Sequence, residues 1–252
     1  MDWWTERHRR QSAEFGGSGN IKGTVRDGFG NLDRTINIEN ASGTRFADSF
    51  NGSDQDNIFS GGEGKDTFNG GAGSDTVRFF WSHSDANSGG VNINLSLASN
   101  QVRNDGFGNI ETMVSIENIV GSIQNDLIKG SSGNNELEGY LGTDTLTGGG
   151  GNDEFVYFYG DNLGQGDVIT DFRATGATNI DKMQMWVSNW GFSTTLTLVN
   201  GTAATQAVST FIFNATTHVL SWDEDGTGGI AAVDVATLTG VTALTAANFD
   251  LL

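Results

Sequence analysis

The chain has 252 residues, 37 of them glycine and none proline or cysteine, and it carries a formal net charge of −18. Without cysteine there are no disulfide staples and no thiolate metal sites. Acidity of this degree argues against holding a nucleic-acid backbone, which selects basic patches, and no window reaches the roughly 20 apolar residues of a membrane span; cations are the partners this composition favours.

Residues 1–15 begin MDWWTERHRR, cluster Arg7, Arg9 and Arg10 in a chain with only 13 basic residues, and offer no apolar core for a leader sequence. They are read as an extension that matches nothing after it. Residues 16–78 form a first repeat unit. It contains DGFGN at 27–31, Ile38-Glu39-Asn40, and then four nonapeptides over 43–78, GTRFADSFN, GSDQDNIFS, GGEGKDTFN and GGAGSDTVR. The sixth position runs Asp48, Asn57, Asp66, Asp75, and the eighth runs Phe50, Phe59, Phe68, Val77.

A second unit, residues 79–158, repeats the plan 78 residues later, with DGFGN at 105–109 and Ile116-Glu117-Asn118. Its nonapeptides, over 121–156, are GSIQNDLIK, GSSGNNELE, GYLGTDTLT and GGGGNDEFV, with Asp126, Asn135, Asp144 and Asp153 at position six and Ile128, Leu137, Leu146 and Phe155 at position eight. Between the arrays, VNINLSLASNQV at 91–102 alternates apolar and polar residues at the strand period. Stacked strands are therefore expected from near residue 20 to near residue 158. From 159 to 252 the repeats stop, and DVITDF, TTLTLV, STFIFN, HVLSWD and AAVDVATL predict a further β domain of ordinary strands. The fold class is all-β: a parallel β-roll, or β-solenoid, of nonapeptides followed by a C-terminal β domain.

In one nonapeptide, six glycine-rich residues can turn, because glycine tolerates positive φ. The x-apolar-x that follows is a minimal strand with its middle side chain inside. Two nonapeptides make one coil, so residues 18 apart, such as Asp48 and Asp66 or Asp126 and Asp144, lie in adjacent loops about 4.8 Å apart. At that spacing two bare carboxylates repel by about 3–4 kcal/mol at an effective dielectric near 20. Few lysines or arginines lie in the loops to offset this. Carboxylates and glycine-exposed carbonyls are hard oxygen donors that suit Ca2+ better than the more tightly octahedral Mg2+. Burial of one apolar residue per repeat contributes about 1.5–3 kcal/mol, against about 1–2 kcal/mol of backbone entropy for each of nine residues; metal binding is expected to be coupled to folding.

These arrays resemble the RTX, or haemolysin-type, calcium-binding repeats. The resemblance implies Ca2+ held by the side chains of Asp48, Asp66, Asp75, Asp126, Asp144 and Asp153, with Asn57 and Asn135 at the same position, and by carbonyls of loop glycines such as Gly62, Gly64, Gly71, Gly73, Gly142, Gly149 and Gly151. The loops GTRFAD and GSIQND depart from the pattern by lacking its second and fourth glycines. The C-terminal region is similar to the domain that follows such repeats in proteins exported by type I secretion, through GDVITDF, Asp181-Lys182-Met183, LSWDEDGTGG and ATLTGVTALTAANFDLL. That likeness implies an extracellular protein whose uncleaved export signal, read by the secretion machinery, is at the C-terminus.

Other readings of the same residues are weaker. Asx-type turn capping without metal would not require one carboxylate in register through successive loops. DEDGTGG at 223–229 is read as an acidic turn, since Ala232 stands where a calcium loop of the EF-hand kind needs glutamate. Asp167 and Asp171 stay open between a peripheral metal site and strand ends. Trp186, Trp190 and Trp222 are assigned to core packing in preference to a sugar-binding face. His8, His83 and His218 lack the spacing of zinc proteases, and no nucleophile elbow or phosphate loop occurs. The chain is read as non-enzymatic, with the alternative that it is the calcium-binding and export portion of a larger secreted enzyme or of an adhesin. An ice-binding face would need a Thr-x-Thr ladder, which the outward positions spell only once, at Thr145 and Thr147.

Overall fold

A computed structural model describes residues 12–14, 23–26, 32–35, 39–44, 46–79, 89–158, 163–176, 178–186 and 196–252. Two compact units divide the chain, Met1–Ile123 and Gln124–Leu252. In the first unit the strands are β1 (Ser12–Glu14), β2 (Gly23–Arg26), β3 (Leu32–Thr35), β4 (Asn40–Ser42), β5 (Ser49–Asn51), β6 (Ile58–Ser60), β7 (Thr67–Asn69), β8 (Thr76–Arg78), β9 (Asn92–Asn94), β10 (Val102–Asn104), β11 (Thr112–Val114) and β12 (Asn118–Val120).

Strands β5 to β8 are the x-apolar-x segments of the four nonapeptides. A strand of three residues can turn one side chain inward, and Phe50, Phe59, Phe68 and Val77 are all buried. β5 pairs in parallel with β7, setting Phe50 opposite Phe68, and β6 pairs with β8, setting Phe59 opposite Val77. The 18-residue register is thus realised as two columns, and in one of them the rings of Phe50 and Phe68 stack at 5.1 Å. β11 adds to the first column with Met113 opposite Phe68, and β12 to the second with Ile119 opposite Val77.

Two expectations for this unit differ from what forms. The 91–102 segment is not one strand: β9 and β10 fold back as an antiparallel hairpin, because Asn94 caps a turn through Ser96 and Asn100 takes a positive φ of 53°. The first 15 residues are not wholly apart from the roll, since β1 pairs in parallel with β5 and antiparallel with β2. The DGFGN copy at 27–31 lies outside the described residues, as do His8, His83 and Trp190.

The second unit contains β13 (Leu127–Lys129), β14 (Glu136–Glu138), β15 (Thr145–Thr147), β16 (Glu154–Phe158), β17 (Asp167–Ile169), β18 (Lys182–Trp186), β19 (Leu198–Asn200), β20 (Thr210–Asn214), β21 (Val219–Asp223), β22 (Val233–Leu238) and β23 (Phe249–Leu251). One column runs β13, β15, β17, β22, all parallel, and the other runs β14, β16, β18, β23. Parallel stacking therefore outlasts the nonapeptide spelling, which ends near 158. Antiparallel β21 and β20 then extend the first column, with β19 at its edge. Trp222 is buried against Phe211, whereas Trp186, 40% exposed, stacks on Phe158 at the surface. Among the described residues no helix is long and apolar enough to cross a membrane.

Adjacent residues of β13 test this inside-outside division. Ile128 is fully buried and Leu127 is 46% exposed. Ile128→Ala is expected to cost about 2–5 kcal/mol in urea denaturation with calcium present, and Leu127→Ala to stay within about 0.5 kcal/mol.

Candidate metal centre

The residue two before each inward apolar side chain also points inward, since alternate residues of an extended segment share a face. Asp48, Asn57, Asp66, Asp75, Asp126, Asn135, Asp144 and Asp153 are all buried. They do not sit isolated. Asp66 Oδ1 accepts the backbone N–H of Asp48 at 2.8 Å, and Asp75 Oδ1 that of Asn57 at 2.8 Å. Asp144 Oδ1 accepts from Asp126 N at 2.8 Å, and Asp153 Oδ1 from Asn135 N at 3.0 Å. Each carboxylate thus ties its loop to the one 18 residues earlier.

The second oxygen separates the loops into two kinds. In the outer loops it is turned inward on the same turn: Asp48 Oδ2 accepts from Thr44 N, while the amide oxygens of Asn57 and Asn135 accept from Ser53 N and Ser131 N, each at 2.7 Å. In the inner loops Oδ2 of Asp66, Asp75 and Asp144 is buried and has no hydrogen-bond partner. An ionised oxygen in that position is costly. Burial first, then nearby acids, holds the carboxyls above their usual range: Asp66 at about 7 beside Asp48 and Asp105, Asp75 at about 6 beside Glu117, and Asp144 at about 8 beside Asp126 and Asp167.

The loop glycines make this approach possible. Gly62, Gly64, Gly71, Gly73, Gly142, Gly149 and Gly151 all take positive φ, from 87° at Gly62 to 119° at Gly142. At Gly142 a side chain would also meet the carbonyl oxygen of Gln124, in the preceding coil, at 2.6 Å. Gly139, at the first position of its loop, faces Asp144 so closely that a Cβ would lie 2.7 Å from the carboxyl carbon.

The rows continue past the nonapeptides through four more acids, of which the sequence marks only Asp167 as a candidate metal site. Glu111, beside Asp66 and Asp105, is pushed up to about 10 by burial and then by those charges. Glu117 accepts from Asp75 N at 3.0 Å, Asp167 from Asp144 N at 2.9 Å, and Asp181 from Asp153 N at 3.1 Å. A signal was present: each of the four is followed two residues later by a buried apolar side chain, Met113, Ile119, Ile169 and Met183. Position five forms a second ladder, in which Asp56, Asn125 and Asn134 accept the N–H groups of Ser74, Thr143 and Asn152.

Other acids cap their own turns. Asp105 accepts from Phe107 N and Asn109 N, Asp223 from Gly226 N, and Asp225 from Gly229 N, so 223–229 is an acidic turn. Asp171 is no strand end: its carboxylate accepts Gly148 N and Gly149 N at 2.8 and 2.9 Å.

Among the described residues no three acidic or histidine side chains gather to hold a metal by themselves. Position six supplies one inward side chain per loop, a carboxylate or the amide of Asn57 or Asn135, so the rest of a coordination shell has to come from backbone carbonyls. Such donors suit Ca2+, which accepts six to eight oxygens, and the buried, unpartnered oxygens of Asp66, Asp75 and Asp144 are what a cation would satisfy. The family model of the RTX calcium-binding nonapeptide repeat, in four copies, matches residues 42–77 and again 120–155. Residues 42–77 and 120–155 are RTX calcium-binding repeats. RTX nonapeptide repeats bind Ca2+. A comparison with curated proteins finds no match.

The raised carboxyls fix the sign of the pH response. Their folded values exceed the unfolded 3.8, so the metal-free fold is favoured in acid and loses that advantage as pH rises through about 6 to 8. In chelator, strand content by circular dichroism should be greater at pH 5 than at pH 8. Calcium, which favours the ionised form, should remove most of the difference, and Asp144→Asn should reduce it in chelator while weakening calcium binding.

Proposed function

We propose that this RTX protein is a non-catalytic, secreted module that leaves the cell unfolded by type I secretion and folds outside it on binding Ca2+. The observation that carries the reading is the set of buried, unpartnered oxygens on Asp66, Asp75 and Asp144. In a calcium-poor cytoplasm these carboxyls would be either ionised and repelling their neighbours or protonated against the ambient pH, and both states weaken the roll. Ca2+ supplies the compensating positive charge. Side-chain ligands in this reading are Asp66, Asp75 and Asp144, with Asp48 and Asp126 one coil away, Asn57 and Asn135 as neutral members, and carbonyls from Gly62, Gly64, Gly71, Gly73 and Gly142.

The C-terminus bears on how an export signal could be read. β23 pairs with β18, Lys182 Nζ bonds Asp250 Oδ2 at 2.7 Å, and the buried Asn248 donates to Ala174 O at 2.9 Å. A signal in 246–252 would be integrated once folding is complete. Recognition by the secretion machinery therefore belongs to the unfolded chain, which fits folding being withheld until calcium is met.

Circular dichroism in excess chelator, followed by calcium titration, tests the central step. Strand signal and thermal stability should rise with calcium, and indifference to chelation would sink the reading. Asp66→Ala should lower calcium affinity about ten- to hundredfold, the loss of one charged contact of about 1.5–3 kcal/mol. Deleting residues from Ala246 onward should abolish export from cells carrying a type I system, and secretion at the normal level would refute a signal there.

A further inference from the structure

One RTX loop differs from the rest in what faces it. Beside the loop 148–153, Arg173 places its guanidinium against the donors expected of a calcium shell. Nη1 donates to Gly149 O at 2.6 Å, and Nη2 donates to Gly151 O at 2.7 Å, Asp153 Oδ2 at 3.2 Å and Asp181 Oδ1 at 3.0 Å. Both carboxylates are fully buried, and the arginine side chain is 32% exposed. As a consequence Asp153 Oδ2, unlike its counterparts in Asp66, Asp75 and Asp144, has a partner.

We propose that Arg173 is a built-in cation that occupies this loop in place of Ca2+, so that the Asp153–Asp181 site is closed to metal and ordered without it. Two carbonyls and two carboxylates converge on one guanidinium, whose fixed fork presents several donors and stays charged at any relevant pH. Its neighbours hold it there. Asp171 takes the N–H groups of Gly148 and Gly149, and the buried Phe172 packs on Phe155 at 5.9 Å. Arg173 N also donates to Asp181 Oδ2 at 2.8 Å. Asp-Phe-Arg thus grips the loop by its N–H groups, its apolar side and its carbonyls in turn. Gly149, Gly151 and Asp153, assigned to Ca2+ from the repeat pattern, are on this account ligands of the arginine.

The inference rests on calcium loading of the other loops, and the test separates the two. Full-length wild type, Arg173→Gln and Arg173→Lys would be compared with calcium and with EGTA, by native mass spectrometry for bound ions and by amide hydrogen exchange for local order. In EGTA, wild type should keep residues 148–158 and 181–186 protected while 43–78 exchange fast. Arg173→Gln should lose that protection in EGTA, regain it with calcium, and carry one calcium ion more than wild type. Arg173→Lys, which keeps the charge and loses the fork, should fall between them in EGTA. Equal ion counts with equal protection in EGTA for wild type and Arg173→Gln would overturn the assignment. Should calcium alter neither protein, the calcium-folding reading falls, while the EGTA comparison still decides the role of Arg173.

Discussion

The second oxygen of a buried carboxylate governs this molecule. In each inner loop the first oxygen is committed to the N–H of the loop below, as Asp66 is to Asp48 and Asp144 to Asp126. That bond fixes the 18-residue register, because a slip by one residue would turn both the aspartate and the apolar side chain two places on toward solvent. In the Asp66, Asp75 and Asp144 loops the other oxygen is buried without a hydrogen-bond partner. Register and charge deficit are therefore two consequences of one side chain, and a roll that specifies its own stacking this way creates a demand for cations at the same positions.

Two columns of material divide the labour. Within each unit an apolar column is buried, Phe50 on Phe68 and Met113 in the first and Ile128 beside Leu146 and Ile169 in the second. It is also thin, one inward side chain for each short strand, so its contribution of about 1.5–3 kcal/mol per repeat falls short of the entropy of ordering nine residues at about 1–2 kcal/mol each. The polar column decides the balance. Neutral Asn57 and Asn135 ease it locally, since an amide closes its own turn through Ser53 or Ser131 without adding charge.

Much of this was legible in the sequence because a nonapeptide is a local rule repeated. The inward Phe, Leu and Val residues, the buried aspartates and the positive-φ glycines follow from position within the phrase. What lay beyond reading were contacts whose spacing obeys no period. Asp144 reaches Asp167 over 23 residues and Asp153 reaches Asp181 over 28, while Asp75 meets Glu117 over 42. The acid-x-apolar spelling survives in all of them, but loops of unequal length separate the copies. Alternation at 91–102 predicted one strand, yet the turn set by Asn94 and the positive φ of Asn100 made a hairpin of it.

Arg173 belongs to the same class of hidden feature, and it changes what the end of the second array means. A guanidinium 22 residues from Gly151 and 20 from Asp153 in sequence carries no mark of a metal-type role until the coil brings it round. Once there, it separates two ways of neutralising the same geometry. A calcium ion is present or absent with the surroundings, whereas a covalently attached cation arrives with the chain and leaves only when the fold opens. On the proposed reading, a row of loops that take metal, next to one loop that does not, has a natural starting end: ordering of 148–153 would precede calcium, and each neighbouring loop would then meet a partner already in register. In a stacked repeat, where every coil is stabilised chiefly by the one beside it, the first ordered coil is the costly one, and this chain supplies its charge internally.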